Sequence, residues 1–251
     1  MTPAPSASYA ESALAVDNRT LAPSLAAPGF DPRTVPVVPS GTPLAAVAPE
    51  NLSPTALRHR FANPPHWIAE TAPDVRHTHR VPASAAVLIA IVLRSRPTVL
   101  LTQRTLHLSN HAGQIAFAGG RTDDTDADAP STALREAREE IGLAERWVEV
   151  LGMLPAYETG SAFSITPVVA LVHPGFTLQP HAAEVADVFE VPLEFLMDPA
   201  NHRRHLLDAN GVLREWFSMP YPGTGTGTGT ERFIWGATAG MLRNLYRFLS
   251  A

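Results

Sequence analysis

The chain has 251 residues, 45% of them hydrophobic, and a formal net charge of −5, which allows one globular domain with a sizeable core plus an extension. Cysteine and lysine are both absent, so thiol nucleophiles, disulfides, Schiff-base chemistry and a phosphate-loop lysine are excluded. The acidic balance argues against a nucleic acid partner, and the lack of cysteine fits a cytoplasmic location.

The N-terminal segment, residues 1–52, predicts a disordered tail. Its first 50 residues contain 11 alanines and 9 prolines without a sustained period, so they favour neither a helix nor a sheet ladder. The first cation is Arg19, which argues against a signal peptide. The longest apolar run, from Ala83 to Leu93, is about half of the ~20 residues that a membrane span needs. We therefore expect a buried strand there and no membrane partner.

We predict that residues 53–251 form one domain, with a core at about residues 83–220. A short helix follows Ser53, where a proline occupies the first helical position. The runs AAVLIAIVLR and TVLLTQR predict a hairpin or two neighbouring strands, and QIAFAGG predicts another short strand that ends in glycines. A polar loop with four aspartates then leads to an acidic helix that ends near Gly142.

The second half of the domain predicts more strands and a final helix. WVEVLGMLPAY and FSITPVVALVH are typical of strands, whereas AAEVADVFEVP fits a strand or a mixed segment. The pair Asn210-Gly211 predicts a hairpin turn, and GTGTGTGT predicts a flexible loop tip. A packing helix is expected at 237–249. The elements together predict an α+β fold with helices packed on a mixed sheet.

The acidic helix, TALREAREEIGL, carries three glutamates on one face. Glu136, Glu139 and Glu140 fall within an arc of about 100° at 100° per residue. The opposite, apolar face consists of Leu134, Ala137 and Ile141. Like charges four residues apart cost an isolated helix roughly 0.2–0.5 kcal/mol, so we expect a cation that is not a side chain on this face to compensate them.

Two interpretations of this face remain open from the helix alone. Carboxylate oxygens are ligands that Mg²⁺ prefers, so the face fits a metal site. A solvated helix face on which Arg135 pairs with Glu139 fits equally well. Gly119 and Gly120, at the end of the preceding strand, favour the metal, because glycine lets backbone approach a ligand closely and the Gly119 carbonyl offers another oxygen.

The stretch GGRTDDTDADAPSTALREAREEIGL resembles the Nudix box, which ends in R-E-apolar-x-E-E-x-G-apolar. The positions that match this ending are Arg135, Glu136, Ala137, Glu139, Glu140, Gly142 and Leu143. The loop before it is one residue longer than the general spacing, and Asp126 stands where a glutamate is usual. The resemblance implies a Nudix-type α/β/α sandwich with a mixed β-sheet and a hydrolase that cleaves a diphosphate.

The residues before the box resemble the signature of the coenzyme A pyrophosphatase branch, L-L-T-x-R-(S/A)-x3-R-x3-G-x3-F-P-G-G. The matching positions are Leu100, Leu101, Thr102, Arg104, Gly113, Phe117, Gly119 and Gly120. Thr105, Ser109 and Ala118 depart from it. Ser109 matters most, because it replaces an arginine that the family motif is thought to use for nucleotide recognition.

The resemblance implies a Mg²⁺ or Mn²⁺ cofactor and assigns roles to the box. Glu136 and Glu140 are expected as direct metal ligands, Glu139 as a ligand through water or as the general base, and the Gly119 carbonyl as an extra ligand. Arg135 is expected to orient a glutamate through a charge-assisted bond, or to form only a surface pair. Glu184 is an alternative general base or an exposed loop glutamate.

The residues near the motif supply candidates for binding the substrate. The candidates are Arg104, His107, His111, Arg121 and Phe117, of which the cations meet phosphate charge. His107 and His111 equally fit a role in local structure. Tyr157 and Phe163 are expected to line the pantetheine or adenine site, or to belong to the core.

The implied reaction is hydrolysis of coenzyme A or a derivative to adenosine 3′,5′-bisphosphate and 4′-phosphopantetheine. One alternative is another nucleoside diphosphate derivative, such as ADP-ribose or NADH, since Ser109 replaces the motif arginine. A second alternative is a Nudix-fold sensor that binds a nucleotide without turnover. The expected partner is a small molecule, with a homodimer as an option.

Overall fold

The computed structural model describes residues 30–39, 43–70, 81–108, 111–209, 212–223 and 231–251. The α-helices in these ranges are α1 (Pro54–Ala62), α2 (Ala129–Ile141), α3 (Leu193–Leu196) and α4 (Gly236–Ser250). The 3₁₀ helices there are Pro32–Thr34, Pro49–Leu52, Glu145–Trp147 and Pro199–Asn201. The strands there are β1 (Val37–Val38), β2 (Ala83–Val92), β3 (Thr98–Arg104), β4 (Ile115–Ala116), β5 (Ala118–Arg121), β6 (Val148–Met153), β7 (Tyr157–Glu158), β8 (Phe163–Val172), β9 (Val185–Pro192), β10 (Arg203–Ala209), β11 (Val212–Tyr221) and β12 (Arg232–Trp235).

The larger sheet is mixed and has β2 at its centre. One edge of β2 pairs in parallel with β8 along its whole length, and the other edge pairs antiparallel with β3 and β5. The remaining strands extend the sheet antiparallel, with β6 and β7 on β8, and β4 and β9 on β3. Parallel strands cannot be joined by a tight turn, and α2 lies in the long connection between β2 and β8.

The residues of β2 alternate between two cores on opposite faces of the sheet. Ala86 and Leu88 belong to the core that contains Ala133 and Ala137 of α2. Val87, Ile89 and Ile91 belong to the other core, together with α4 and residues of α1 and α3. Burial on both faces explains why this strand is an almost continuous apolar run. The α/β/α sandwich with a mixed sheet is therefore confirmed.

A second, four-stranded sheet has the order β1, β10, β11, β12 and is antiparallel throughout. Its first strand comes from the N-terminal segment, where Val35, Val47 and Leu52 are buried. Tyr246 of α4 donates a hydrogen bond to the Ala45 carbonyl at 2.8 Å. The boundary predicted at residue 52 is therefore wrong, because residues 30–39 and 43–52 pack on the domain. The tail predicted for residues 1–29 lies outside the described residues.

The predicted helix ends agree closely with the structure. Ser53 caps α1, and Gly142 ends α2 in the left-handed conformation with φ of 71°. The final helix is Gly236–Ser250, and the residues that the sequence places on one apolar stripe are all buried: Met241, Leu242, Leu245, Tyr246 and Leu249. QIAFAGG forms two strands, β4 and β5, rather than the one predicted. Within the described ranges, none of the helices has the length and apolarity needed to cross a bilayer.

Two predicted turns lie outside the described residues. These are the pair Asn210-Gly211 and the Gly-Thr repeat at 223–230, of which residues 224–230 lie outside. The strands on either side of the first turn pair antiparallel, with Ala209 opposite Val212, as a hairpin requires. Ser109, the position at which the motif arginine is replaced, also lies outside them.

Candidate active site

The helix α2 begins directly after the polar loop that follows β5. The Asp128 carboxylate accepts a hydrogen bond from the Ser131 N–H at 2.8 Å, which caps the first turn. Pro130 lies in this turn, where its missing N–H costs no hydrogen bond. These signals fix where the helix starts and place its middle turns beside β5.

The two glycines of β5 allow the carboxylates of α2 to approach the strand closely. A Cβ atom on Gly120 would lie 2.5 Å from Oε1 of Glu136, so a side chain at this position would displace the carboxylate. The Gly119 N–H donates a hydrogen bond of 3.2 Å to Oε2 of Glu140. The glycines therefore form a wall of the candidate site, as their position in the sequence predicts.

Glu140 is a buried carboxylate with weak compensation. Its side chain is 8% exposed, and the nearest cation, Nη1 of Arg104, lies 3.9 Å from Oε1. Burial raises the pKa of Glu140 to about 7, while the Gly119 N–H and Arg104 act in the opposite direction. The prediction that the three glutamates share a face opposite the buried one is wrong for Glu140, because the helix turns this side chain toward the sheet.

Arg135 compensates the other two glutamates of the helix. Its Nη1 donates to Oε1 of Glu136 at 2.9 Å and to Oε2 of Glu139 at 3.1 Å. Glu139 remains 54% exposed, whereas burial raises the pKa of Glu136. The prediction that no side-chain cation serves this face is therefore wrong for Glu136 and Glu139.

Asp126 holds Arg135 in place, a role that sequence reasoning missed. Its two oxygens accept from Nε and Nη2 of Arg135, both at 2.9 Å, in a bidentate pair. The hydroxyl of Thr132 donates to the same carboxylate at 2.9 Å. These bonds hold the pKa of Asp126 well below its usual range. The signal available in the sequence was its place at the acidic position of the box.

Glu184 lies close enough to the site for its charge to raise the pKa of both Glu136 and Glu140. Its side chain is 45% exposed, and Nδ1 of His181 lies 3.6 Å from its carboxylate. The Glu184 carbonyl accepts a hydrogen bond from the Thr105 N–H at 2.9 Å, which ties this loop to the end of β3. Glu184 therefore lies near the site on a separate loop.

His107 contacts the same loop rather than the glycine wall. Its Nε2 lies 3.1 Å from the Ala183 carbonyl, which fits its predicted structural role. His111 adopts a positive φ of 57°, and its Nδ1 lies 2.9 Å from the side-chain oxygen of Gln114. The structure thus separates the two histidines, and only His111 lines the cavity described next.

A cavity of about 380 Å³ lies beside the glycine wall, on the α4 face of the sheet, and we call it the α4 cavity. Arg104, Arg121, His111 and Phe117 line it, as do both glycines. Lining residues that sequence reasoning did not select are Gln114, Thr159, Ser161, Trp235 and Thr238. They come from loops and from the start of α4, far apart in sequence and without a shared motif. Phe163 also lines the cavity, whereas Tyr157 packs against Gly240 of α4.

Arg104 connects this cavity to the carboxylates of α2. Its Nε is buried and, within the described residues, has no hydrogen-bond partner. Its Nη1 is the cationic group nearest to Glu140, 3.9 Å from Oε1. A buried guanidinium N–H without an acceptor is costly, so a ligand oxygen in the cavity would satisfy it.

The oxygen donors of α2 fit a hard divalent cation. Glu136 and Glu140 are anionic oxygen ligands whose raised pKa shows that burial exceeds their present compensation. In the part of the chain that the structure describes, no three acidic or histidine side chains already converge on one point.

Comparisons with known proteins agree with this geometry. A family model described as the NUDIX domain matches residues 82–216. The chain is 41% identical over 167 residues to a protein of Escherichia coli K12 named uncharacterized Nudix hydrolase NudL, a match that covers 64% of this chain and 80% of the relative.

Two solved structures are among those to which the chain is similar. A binary complex of the Caenorhabditis elegans Ap4A hydrolase is 18% identical, with a TM-score of 0.39, and covers 44% of this chain and 80% of its own. The NUDIX domain of NrtR from Shewanella oneidensis, complexed with ADP ribose, is 21% identical, with a TM-score of 0.36, and covers 45% and 75%. At these values, the solved structures carry no argument about the substrate.

Proposed function

The chain belongs to the Nudix family and is a Nudix hydrolase, and from this premise we propose that it hydrolyses the diphosphate of coenzyme A or its derivatives. The products are adenosine 3′,5′-bisphosphate and 4′-phosphopantetheine. The observation that carries the proposal is the buried, weakly compensated Glu140 beside the Gly119–Gly120 wall and Arg104. The coenzyme A part rests on the resemblance of residues 100–120 to the branch signature.

A divalent cation fits this site, and we propose Mg²⁺ or Mn²⁺ as the cofactor. Glu136 and Glu140 would hold it directly, with Glu139 as a further ligand through water or as the base and the Gly119 carbonyl as an extra oxygen. Such a cation, when bound, lowers the pKa of a water molecule and neutralises charge on the phosphate oxygens.

The side chains of the protein orient the reacting groups. Arg135 fixes the positions of Glu136 and Glu139 because Asp126 holds it in a bidentate pair. Glu184 lies near Glu136 and Glu140 on a separate loop, and we propose it as an alternative general base. A water molecule adds across one P–O–P linkage, so that one phosphorus gains a hydroxyl and the other keeps the bridging oxygen.

The cations that line the α4 cavity are proposed to bind the phosphate oxygens. Arg104 offers its unpartnered Nε, and Arg121 follows Gly120 on β5. His111 lines the same cavity, and Phe117 forms part of its apolar wall. His107, in contact with the Ala183 carbonyl, supports the loop that carries Glu184.

A substrate panel tests this proposal. Coenzyme A, ADP-ribose and NADH are compared by kcat/KM with Mg²⁺ and with Mn²⁺, and the products are identified by mass. We expect the highest kcat/KM for coenzyme A, with cleavage at its diphosphate. Preference for ADP-ribose or NADH would contradict the proposed substrate and leave the hydrolase in place.

A Ser109→Arg variant, which restores the motif arginine, is tested on the same substrates. We expect Ser109→Arg to raise kcat/KM for coenzyme A, because it restores a cation to the nucleotide motif. Tight binding of one of these nucleotides without turnover under either metal would favour the sensor alternative. A cytoplasmic location and the option of a homodimer stay predictions.

A further inference from the structure

The α4 cavity lies between the odd-numbered face of β2 and β8 and the start of α4. Its walls include Val87, Ile165 and Met241, and Trp235 and Ala237 lie at its helical end. We propose that this cavity receives the uncharged pantetheine arm of the substrate, while the adenosine bisphosphate half stays outside. The inference rests on the proposed function, because the diphosphate is taken to lie at the glycine wall that the cavity shares with α2.

The distribution of charge favours an uncharged group inside the cavity. The cationic or titratable residues of the described lining are Arg104, Arg121 and His111, and none of that lining carries a carboxylate. Arg104 approaches Glu140, and Arg121 follows the glycine wall directly, so both belong to the side where the diphosphate would lie. The adenosine half carries an additional phosphate, and the apolar interior offers nothing to compensate it.

The apolar wall comes from residues that the sheet turns toward α4. Val87 lies on the same face of β2 as the core residue Ile89. Ile165 of β8 and Met241 of α4 face the same space. These side chains suit the two methyl groups and the methylene units of the pantetheine arm, whose transfer from water to an apolar wall is favourable.

The hydroxyl groups of the lining are engaged in local hydrogen bonds. Thr238 donates to the Ile115 carbonyl at 3.0 Å. Thr159 accepts from the Phe163 N–H at 3.0 Å, and its oxygen lies 3.1 Å from that of Ser161. Recognition of an adenine ring requires polar groups directed at its edge, and the hydroxyls of Thr159 and Thr238 are already bonded within the protein.

The start of α4 supplies donors that match the amide carbonyls of the arm. Trp235 precedes the helix and makes no side-chain capping bond, so the first-turn N–H groups are not used by the capping residue. A Cβ atom on Gly236 would meet nothing within 4 Å, which shows that the approach to this turn is open. A neutral amide carbonyl can accept from such N–H groups without bringing charge into the cavity.

The test measures the two product halves separately by calorimetric titration. The Kd of 4′-phosphopantetheine and of adenosine 3′,5′-bisphosphate is determined for the unmodified protein, for Ala237→Leu, which adds bulk inside the cavity, and for Ala62→Leu. The last is the matched control, because Ala62 is exposed on α1 and lies outside the cavity lining.

We expect Ala237→Leu to weaken 4′-phosphopantetheine by roughly tenfold or more, the scale of discrimination that added bulk in an apolar pocket produces. The Kd of adenosine 3′,5′-bisphosphate should change by less than about twofold, and Ala62→Leu should change neither Kd. Weakening of the adenosine bisphosphate alone, or of both halves equally, would overturn the proposal.

A fluorescence measurement keeps the proposal testable if Ala237→Leu does not fold. We expect 4′-phosphopantetheine to change the tryptophan emission of the unmodified protein, and Trp235→Phe to remove that change. A change that persists in Trp235→Phe would contradict occupancy of the α4 cavity. Turnover of coenzyme A is measured in parallel. If Ala237→Leu weakens binding of 4′-phosphopantetheine as expected but the protein does not turn over coenzyme A, only the proposed function is refuted. If the protein turns over coenzyme A but Ala237→Leu weakens binding of adenosine 3′,5′-bisphosphate instead, only the cavity assignment is refuted.

Discussion

Two kinds of buried or half-buried carboxylate occur in this fold, and they are compensated differently. Glu190 pairs with both Nε and Nη2 of Arg94, and Glu215 pairs in the same bidentate manner with Arg204. These bonds lower the pKa of both glutamates. Glu140 is more deeply buried, has a guanidinium nitrogen no nearer than 3.9 Å, and has its pKa raised to about 7.

The difference separates two carboxylates that are compensated within the fold from one that we propose binds a cation. Arg94 and Arg204 each form a bidentate pair, so the charges of Glu190 and Glu215 are compensated in the folded protein. Glu140 faces the backbone of Gly119 and Gly120, and the nearest guanidinium nitrogen lies 3.9 Å from its carboxylate. Strongly perturbed carboxylates of this kind are typical of functional sites, where stability is given up for chemistry.

The largest expected effect is on catalysis by Glu140→Gln. Losing several kcal/mol of charge stabilisation at a metal site corresponds to a fall in kcat of about 1,000-fold or more. Steady-state kinetics with Mg²⁺ and an unchanged circular dichroism spectrum check this result. Glu190→Gln is the matched control, because it neutralises a carboxylate outside the site and should keep kcat within about twofold of the unmodified protein.

Arg135→Lys is expected to have the second largest effect. Lysine keeps the charge but cannot hold Asp126 in a bidentate pair while also contacting Glu136 and Glu139. Loss of such a supporting contact lowers activity by roughly 10–100-fold. Arg204→Lys, which alters a bidentate pair away from the site, should leave kcat unchanged. Equal activity in Arg135→Lys would show that the box glutamates need no orienting cation.

In EDTA, the free energy of unfolding should change in opposite directions when the two kinds of carboxylate are neutralised. At pH 8, Glu140→Gln removes a buried charge whose pKa is about 7, and the free energy of unfolding should rise by about 1–3 kcal/mol. Glu190→Gln breaks a satisfied and partly solvated pair and should lower it by about 1 kcal/mol. Urea denaturation measures both values, and a loss of stability in both variants would remove the distinction drawn above.

The pH dependence of the stability gained in Glu140→Gln follows from the direction in which the pKa of Glu140 is shifted. The folded pKa of Glu140 lies above its ordinary value, so its stabilising contribution is present below pH 4.5 and is lost as the pH rises through about 7. Buried His202, with its pKa lowered to about 4, destabilises the fold as the pH falls from 6.5. His202 is common to both proteins, so the difference between Glu140→Gln and the unmodified protein should grow from pH 4.5 to 7. A difference that is flat over this range would contradict the raised pKa.

The smallest expected effect is at the exposed pair of Arg58 and Glu149. Both side chains are about 40% exposed, at 41% and 38%. Solvent screening leaves such a pair with little net effect on stability, despite its bidentate geometry. Glu149→Gln should therefore change the free energy of unfolding in urea less than Glu190→Gln does. A larger loss would mean that exposure is a poor guide to compensation in this protein.

Local signals explain which parts of the structure were predictable from the sequence. Ser53, Gly142 and the apolar stripe of α4 act through neighbouring residues, so the helix ends followed from short patterns. The N-terminal segment was misjudged because β1 gains its stability from pairing with β10, about 170 residues away in the chain. The burial of Glu140 could not be read from a helical wheel, because the sheet approaches α2 from the side of its glycines.

The candidate site shows the same division. The box carboxylates and the glycine wall followed from spacing, whereas the bidentate pair of Asp126 with Arg135 depends on how the loop folds back. The lining of the α4 cavity comes from β2, β8, the turn at Thr159 and Ser161, and the start of α4. No local pattern joins those elements, so only the tertiary structure brings them together.

The measurement that tests the account most directly is the rise in Tm that saturating Mn²⁺ causes in the unmodified protein and in Glu140→Gln, compared in parallel at pH 8. A cation that binds only the folded state stabilises it in proportion to the logarithm of its concentration above Kd. We predict a clear, concentration-dependent rise in the unmodified protein and little or none in Glu140→Gln. Equal rises in the two proteins would contradict the claim that Glu140 is held for a divalent cation.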